Sequence, residues 1–98
     1  MAGAQPTIGV LTLDLHIEHS HSLKDKRQVV RSLKDRLRAK FNVATAEIDH
    51  QDSWQRAVVG VITLAGDRAR VEQVLQLAER EAANLLGADL VGSQIEYL

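Results

Sequence analysis

One short segment holds most of the positive charge of this chain. Residues 22–40 contain eight of the twelve lysines and arginines, although the formal net charge of the whole chain is −1 at pH 7. These side chains bind phosphate well, because arginine forms paired hydrogen bonds with phosphate oxygens and lysine supplies a point charge. Charge concentrated in this way is evidence about binding partners rather than about the fold. Phosphate binding is therefore the first chemistry that the sequence suggests.

The basic residues recur at helical spacing. Ser22 is a typical N-cap and Asp25 supplies an acid three residues later, so we predict a helix over residues 23–40. Steps of three and four residues place one line of basic side chains about 100° of rotation from an apolar stripe that begins at Leu23. The line is about 20 Å long, which suits a phosphate backbone. We predict that these residues contact RNA: Lys24, Lys26, Arg27, Arg31, Lys34 and Arg38.

Other interpretations of the same segment stay open. The basic residues could form a solvated helix face paired with some of the eleven acidic residues outside residues 22–41. They could also bind an acidic protein partner, which would make the chain a dimeric protein-interaction module. A small-ligand sensor is a third alternative. The chain has one Trp, one Tyr and one Phe, too few for the stacking surfaces that bind single strands. A bound RNA would therefore be structured and contacted through its backbone.

Two further groups of residues could do chemistry, and we assign neither to a site. The sequence HIEHSH (16–21) carries imidazoles and a carboxylate, but its spacing matches no recognised metal site. Glu47, Asp49 and Asp52 lie near His50 without a nucleophile, and we expect Glu47 to pair with the basic helix instead. The chain has no cysteine and no phosphate-binding glycine motif. We predict a non-catalytic protein without a metal or cofactor.

Apolar periodicity predicts the elements that position these residues. Alternation predicts strands at 8–17, 42–49, 56–65 and 90–98, and helical spacing predicts a second helix at 68–86. The order βαββαβ predicts an α+β, ferredoxin-like fold, with a four-stranded antiparallel sheet and two helices on one face. We expect residues 1–7 to be a flexible leader and residues 8–98 to be a single domain.

The other face of this predicted sheet has no helix to cover it. Ile8 and Val10 of strand one would lie there, with one of the two apolar sets of strand three. A second copy often covers such a face, so we expect a homo-oligomer through the open sheet face. We expect Trp54 to pack over a sheet edge, with a role as an interface anchor as the alternative.

The location of the protein is predicted from two absences in the sequence. No apolar run approaches the roughly 20 residues that a membrane-spanning helix needs. The first residues show no signal-peptide pattern. We expect no membrane association and a cytoplasmic location.

Several short motifs resemble those of a known family. They are SLKDKR (22–27), KFNVATAE (40–47) and Trp54 with Ala57. Together they resemble the YlxP family, which consists of short bacterial single-domain proteins of unknown function. The resemblance extends from about Ile8 to Leu98 and implies a ferredoxin-like fold. Genes of this family often lie near those for translation initiation factor two and ribosome-binding factor A. This implies, by association, a role in ribosome assembly or translation, with ribosomal or other structured RNA as partner.

Overall fold

A computed structural model describes residues 5–98 of the chain. The strands form one antiparallel sheet in the order β2-β3-β1-β4, and both helices pack on the same face of it. This is the ferredoxin-like fold that the sequence predicts. The elements are β1 (Thr7–His16), α1 (Leu23–Lys40), β2 (Ala44–Asp49), β3 (Arg56–Ala65), α2 (Arg68–Leu86), a 3-10 turn (Gly87–Asp89) and β4 (Leu90–Tyr97).

The element boundaries differ from the predictions at a few points. β1 begins at Thr7, inside the expected leader, and residues 1–4 of that leader lie outside the described residues. β2 begins two residues later than predicted, because the chain bends at Phe41 and Asn42, where the backbone N–H of Val43 donates to the Phe41 carbonyl at 3.0 Å. The 3-10 turn after α2 was not predicted.

The core lies between the two helices and one face of the sheet. Leu11, Leu13 and Leu15 of β1 are fully buried, and Val59 and Val61 of β3 lie beside them. Their alternation with exposed or half-buried neighbours is the pattern that predicted the strands. Burying each such side chain stabilises the fold by about 1.5–3 kcal/mol. The core therefore determines which face of each strand is buried against the helices and which face remains open.

The start of α1 is held by hydrogen bonds of the motif SLKDKR and of the residue before it. The Ser22 hydroxyl accepts from the backbone N–H of Asp25 at 3.0 Å, as the predicted N-cap requires. The Asp25 carboxylate accepts from the backbone N–H of His21 at 3.1 Å, one residue before the N–H that an ideal capping box uses. The start of the basic helix is therefore fixed by its own sequence.

Gly9 marks the closest approach of α2 to β1. A Cβ atom added at Gly9 would lie 2.5 Å from Cγ1 of Val71 and 2.8 Å from Cδ1 of Leu75. Both separations are shorter than any ordinary carbon contact. The absence of a side chain at Gly9 is therefore what allows the helix to lie this close to the sheet.

We expect Gly9→Ala to lower the free energy of unfolding by about 1–3 kcal/mol, because the added methyl group overpacks this contact. The measurement is urea denaturation followed by circular dichroism. Gly66→Ala is the matched control, because a Cβ at Gly66 would meet no atom within 4 Å. Equal stability of the two variants would contradict the close packing of α2 on β1.

Candidate nucleic-acid interface

Five of the six predicted RNA contacts lie along one line of α1. Four of their side chains are exposed and that of Lys34 is half-buried. Over these residues the helix rises about 21 Å. We call this line the basic ridge, and it consists of Lys24, Arg27, Arg31, Lys34 and Arg38.

The basic ridge lies on the flank of α1 that faces away from α2. On the opposite flank, Arg36 and Lys40 reach the carboxylate of Glu81 on α2, at 3.2 and 3.0 Å. At about 100° of rotation per residue, the buried stripe of α1 lies between these two residues and the ridge. α1 also packs on β2, the strand at the edge of the sheet. The ridge therefore follows the outer side of α1, next to the β2 edge.

The ridge is largely without ionic partners. Of its five residues, only Arg38 forms an ion pair within the described chain, with Asp35 on the same helix. Among residues 5–98, the acids outside α1 pair with Arg36 and Lys40 but not with the ridge. The interpretation of the basic helix as a face paired with acids therefore holds for one flank of α1 and fails for the other.

Lys26 does not belong to the ridge, and its prediction as an RNA contact is wrong. Its side chain is fully buried, and its Nζ lies 3.0 Å from Oε2 of Glu47 on β2. Nζ also donates to the backbone carbonyls of His50 at 2.8 Å and Gln51 at 3.3 Å. Lys26 follows Lys24 by two residues, so its side chain is rotated by about 200° around the helix axis and points towards the sheet. An ammonium group in this position cannot reach a phosphate.

The same contacts confirm that Glu47 pairs with the basic helix. Nζ of Lys26 and Oε2 of Glu47 are close enough for an ion pair, but their geometry is not that of a hydrogen bond. The hydrogen bonds of Nζ go instead to the two backbone carbonyls. His50 has a φ of 62°, a left-handed conformation that histidine tolerates better than most residues. Lys26 therefore ties α1 to the end of β2 and to the turn that follows it.

The pairing with Glu81 changes the acidity of that carboxyl group. Hydrogen bonds from Lys40 and from Arg36 hold the pKa of Glu81 below its ordinary value of 4.5, and partial burial opposes them. Because the folded-state pKa is the lower one, this stabilisation is complete above the unfolded-state pKa. It is lost as the pH falls through the folded-state pKa.

Glu81→Gln is therefore expected to lower the melting temperature at neutral pH and to reduce the loss of stability in acid. The difference in melting temperature from the wild type should be constant between pH 7 and about pH 5 and should shrink below that. Thermal denaturation across this pH series measures it. A difference that persists unchanged to about pH 3 would contradict the assignment of these ion pairs to Glu81.

The other groups considered from the sequence do not converge on a site. Within residues 5–98, no three His, Asp or Glu side chains are grouped so that they could hold a metal ion. His19 lies 4.0 Å from Asp89 and is mostly exposed. Trp54 is 57% exposed, so it packs over the sheet edge less completely than expected, and its alternative role as an interface anchor stays open. Neither helix of the described chain is long and apolar enough to cross a membrane.

A cleft that was not predicted opens between the two helices. It measures about 580 Å³, and Ile17, Val29 and Leu85 are among its apolar lining. The charged residues that line it are Asp25 and Asp89, and no lysine or arginine does so. Since the cleft is on the flank of α1 away from the ridge and carries the opposite charge, it does not extend the phosphate-binding surface.

Comparison with known proteins places this architecture in a family. The sequence is 38% identical over 69 residues to the uncharacterized protein YlxP of Bacillus subtilis (strain 168), covering 70% of this chain and 75% of that protein. The structure resembles a dimeric ferredoxin-like protein of unknown function from Thermobifida fusca YX, with a TM-score of 0.49 and 14% identity. That alignment covers 93% of this chain and 90% of the other. The structural similarity is too low to support a conclusion about oligomeric state or function.

The family assignment agrees with the resemblance of the motifs in α1 and β2. The family described as "Protein of unknown function (DUF503)" matches residues 8–95, which is nearly the whole of the described chain. The chain therefore belongs to this family of unknown function, together with YlxP.

Proposed function

We propose that this protein is a non-catalytic accessory module that docks α1 on structured RNA during ribosome assembly or translation. The observation that carries the proposal is the basic ridge, whose residues are exposed except for the half-buried Lys34 and, apart from Arg38, have no ionic partner among residues 5–98. A row of unpaired guanidinium and ammonium groups favours a polyanionic partner. The resemblance to the YlxP family favours ribosomal RNA, which would place the protein in the cytoplasm.

The charge of the rest of the molecule supports docking through one side. Outside residues 22–41 the chain carries four basic and eleven acidic side chains. Those acids repel phosphate, so an RNA that approaches another face meets an unfavourable field. The ridge residues succeed one another every 4.5–6 Å or so along the helix axis, which allows several phosphates to be contacted at once. The proposed contact is therefore a line along α1 and not a wrapped surface.

The aromatic side chains support contact with the RNA backbone rather than with unstacked bases. Phe41 packs against the core, and the ring of Tyr97 lies under the guanidinium of Arg68 at 4.0 Å. Trp54 is exposed in the turn before β3, apart from the other two. Proteins that bind single strands on a sheet use several exposed aromatics on neighbouring strands. A structured RNA read through its backbone is therefore the better fit.

Co-sedimentation of the protein with isolated ribosomal subunits, across a salt series, tests this function. If the five ridge residues each neutralise one phosphate, log K should fall by about 3.5–4.5 for each tenfold rise in salt concentration. Absence of binding even at low salt would overturn the proposal. It would leave an acidic protein surface as the partner for the ridge.

A further inference from the structure

The open face of the sheet carries an apolar patch that no part of the described chain covers. The register of β1, β2 and β3 places apolar side chains from all three strands next to one another there. Leu64 is 61% exposed, Ile62 is 40% exposed and more than half of Ile48 is exposed. Three large exposed residues on one face are a patch and not a scatter of single positions. The open patch consists of Ile8, Val10, Ala44, Ala46, Ile48, Val58, Gly60, Ile62 and Leu64.

The patch contains both a depression and the projecting side chains that could fill one. Gly60, Ala44 and Ala46 are adjacent in the sheet and form the floor of a shallow depression of about 250 Å³. Ile48 and Ile62 line its walls and also project into solvent. A symmetric dimer interface must be complementary to itself after half a turn, and an apolar depression beside apolar projections can meet that requirement.

We propose that two copies of this chain associate through the open patch in a symmetric dimer. Three charged residues on the same face lie at the border of the patch. Asp14 is paired in register with Val58, and Glu96 with Val10. Arg56 is 3.9 Å from Asp14, and the middle of the patch carries no charge. Two copies can therefore close on the patch without bringing like charges together there. An RNA or an acidic partner would gain nothing from an uncharged surface.

The size of the face is consistent with a reversible dimer. The four strands are six to ten residues long. With a rise of about 3.3 Å per residue and about 4.8 Å between strands, the whole face has a projected area of about 540 Å² for each copy. Two copies would bury about 1,100 Å², which is just below the standard size of a specific interface and in the range of weak, reversible complexes. Because both helices lie on the opposite face, each copy would keep its basic ridge exposed on the outside. Dimer formation and RNA docking are thus independent of each other.

Ile62→Glu tests the dimer against a closely matched control. Sedimentation equilibrium over a protein concentration series measures the mass of the wild type and the variants. Leu77→Glu is the control, because Leu77 is also 40% exposed but lies on α2. We expect twice the chain mass for the wild type and for Leu77→Glu at high concentration, and a monomer for Ile62→Glu. A monomeric wild type, or an Ile62→Glu variant that still dimerises, would overturn the proposal.

A second variant keeps the test decisive if a charge at Ile62 disturbs folding. A Cβ at Gly60 would lie 3.5 Å from the nearest atoms of Ile48, an ordinary contact, so Gly60→Ala leaves the monomer intact. The added methyl group fills the depression and should raise the dimer dissociation constant about tenfold. An unchanged dissociation constant in Gly60→Ala would contradict the proposed use of the depression.

Discussion

Replacing Lys26 with methionine is expected to lower the free energy of unfolding by about 3 kcal/mol, and the melting temperature by about 15 °C. Methionine keeps the apolar length of the side chain and removes the ammonium group. The Glu47 carboxylate then loses its ionic partner, and the carbonyls of His50 and Gln51 lose their donor. Removing one partner of a buried pair typically costs 3–5 kcal/mol, and the 18% exposure of Glu47 places this case at the lower end.

Lys24→Met is the matched control for Lys26→Met. The two residues stand two positions apart on α1, but Lys24 is exposed and without an ionic partner in the described chain, so its replacement should cost less than about 0.5 kcal/mol. The double variant Lys26→Met with Glu47→Leu should recover part of the lost stability, because no unpaired carboxylate remains. Equal stability of the two single variants would contradict a structural role for Lys26.

Replacing three ridge residues with glutamine is expected to weaken RNA binding about 100-fold or more at low salt. The ridge variant carries Arg27→Gln, Arg31→Gln and Lys34→Gln. On the proposed function, each substitution would remove one charge-assisted hydrogen bond to phosphate. With two ridge residues left, the fall in log K for each tenfold rise in salt should drop to about 1.4–1.8. Fluorescence anisotropy with a labelled ribosomal RNA fragment measures both quantities.

The control variant removes the same number of positive charges elsewhere. It carries Arg36→Gln and Lys40→Gln on the other flank of α1, and Arg80→Gln on the exposed surface of α2. If RNA responds only to net charge, the ridge variant and the control variant lose equal affinity. The proposed interface requires the control variant to keep nearly all of its affinity. Unfolding of the ridge variant is not expected, because its residues make no ion pair in the described chain.

Much of the fold could be predicted because local periodicity and tertiary packing agree. The alternation of Leu11, Leu13 and Leu15 identified both a strand and its buried face, and the structure buries that face completely. Ser22 as N-cap marked the start of the first helix, which the structure confirms. In these places a residue's own chemistry determines its role, so sequence reasoning succeeds.

The errors arose where a role depends on a distant element. Lys26 stands four residues before Val30, at the spacing of the buried stripe, but a lysine is rarely fully buried without a partner. Its partners come from β2 and the following turn, whose positions only the folded chain reveals. The role of Glu81 also depends on a distant element: from α2 it pairs with Arg36 and Lys40 on one flank of α1 and leaves the ridge on the other flank without this partner. Basic periodicity alone could not make that distinction.

A titration of isotopically labelled protein with a ribosomal RNA fragment, followed by NMR, tests most directly where RNA docks. We predict that the largest chemical-shift changes fall on the basic ridge and at the side chains of Arg27 and Arg31. The side-chain ammonium of Lys26 and the amides of the open patch should change little, since the first is buried and the second lie on the face of the sheet opposite to the helices. Changes centred on the open patch, or no changes at low salt, would contradict the account.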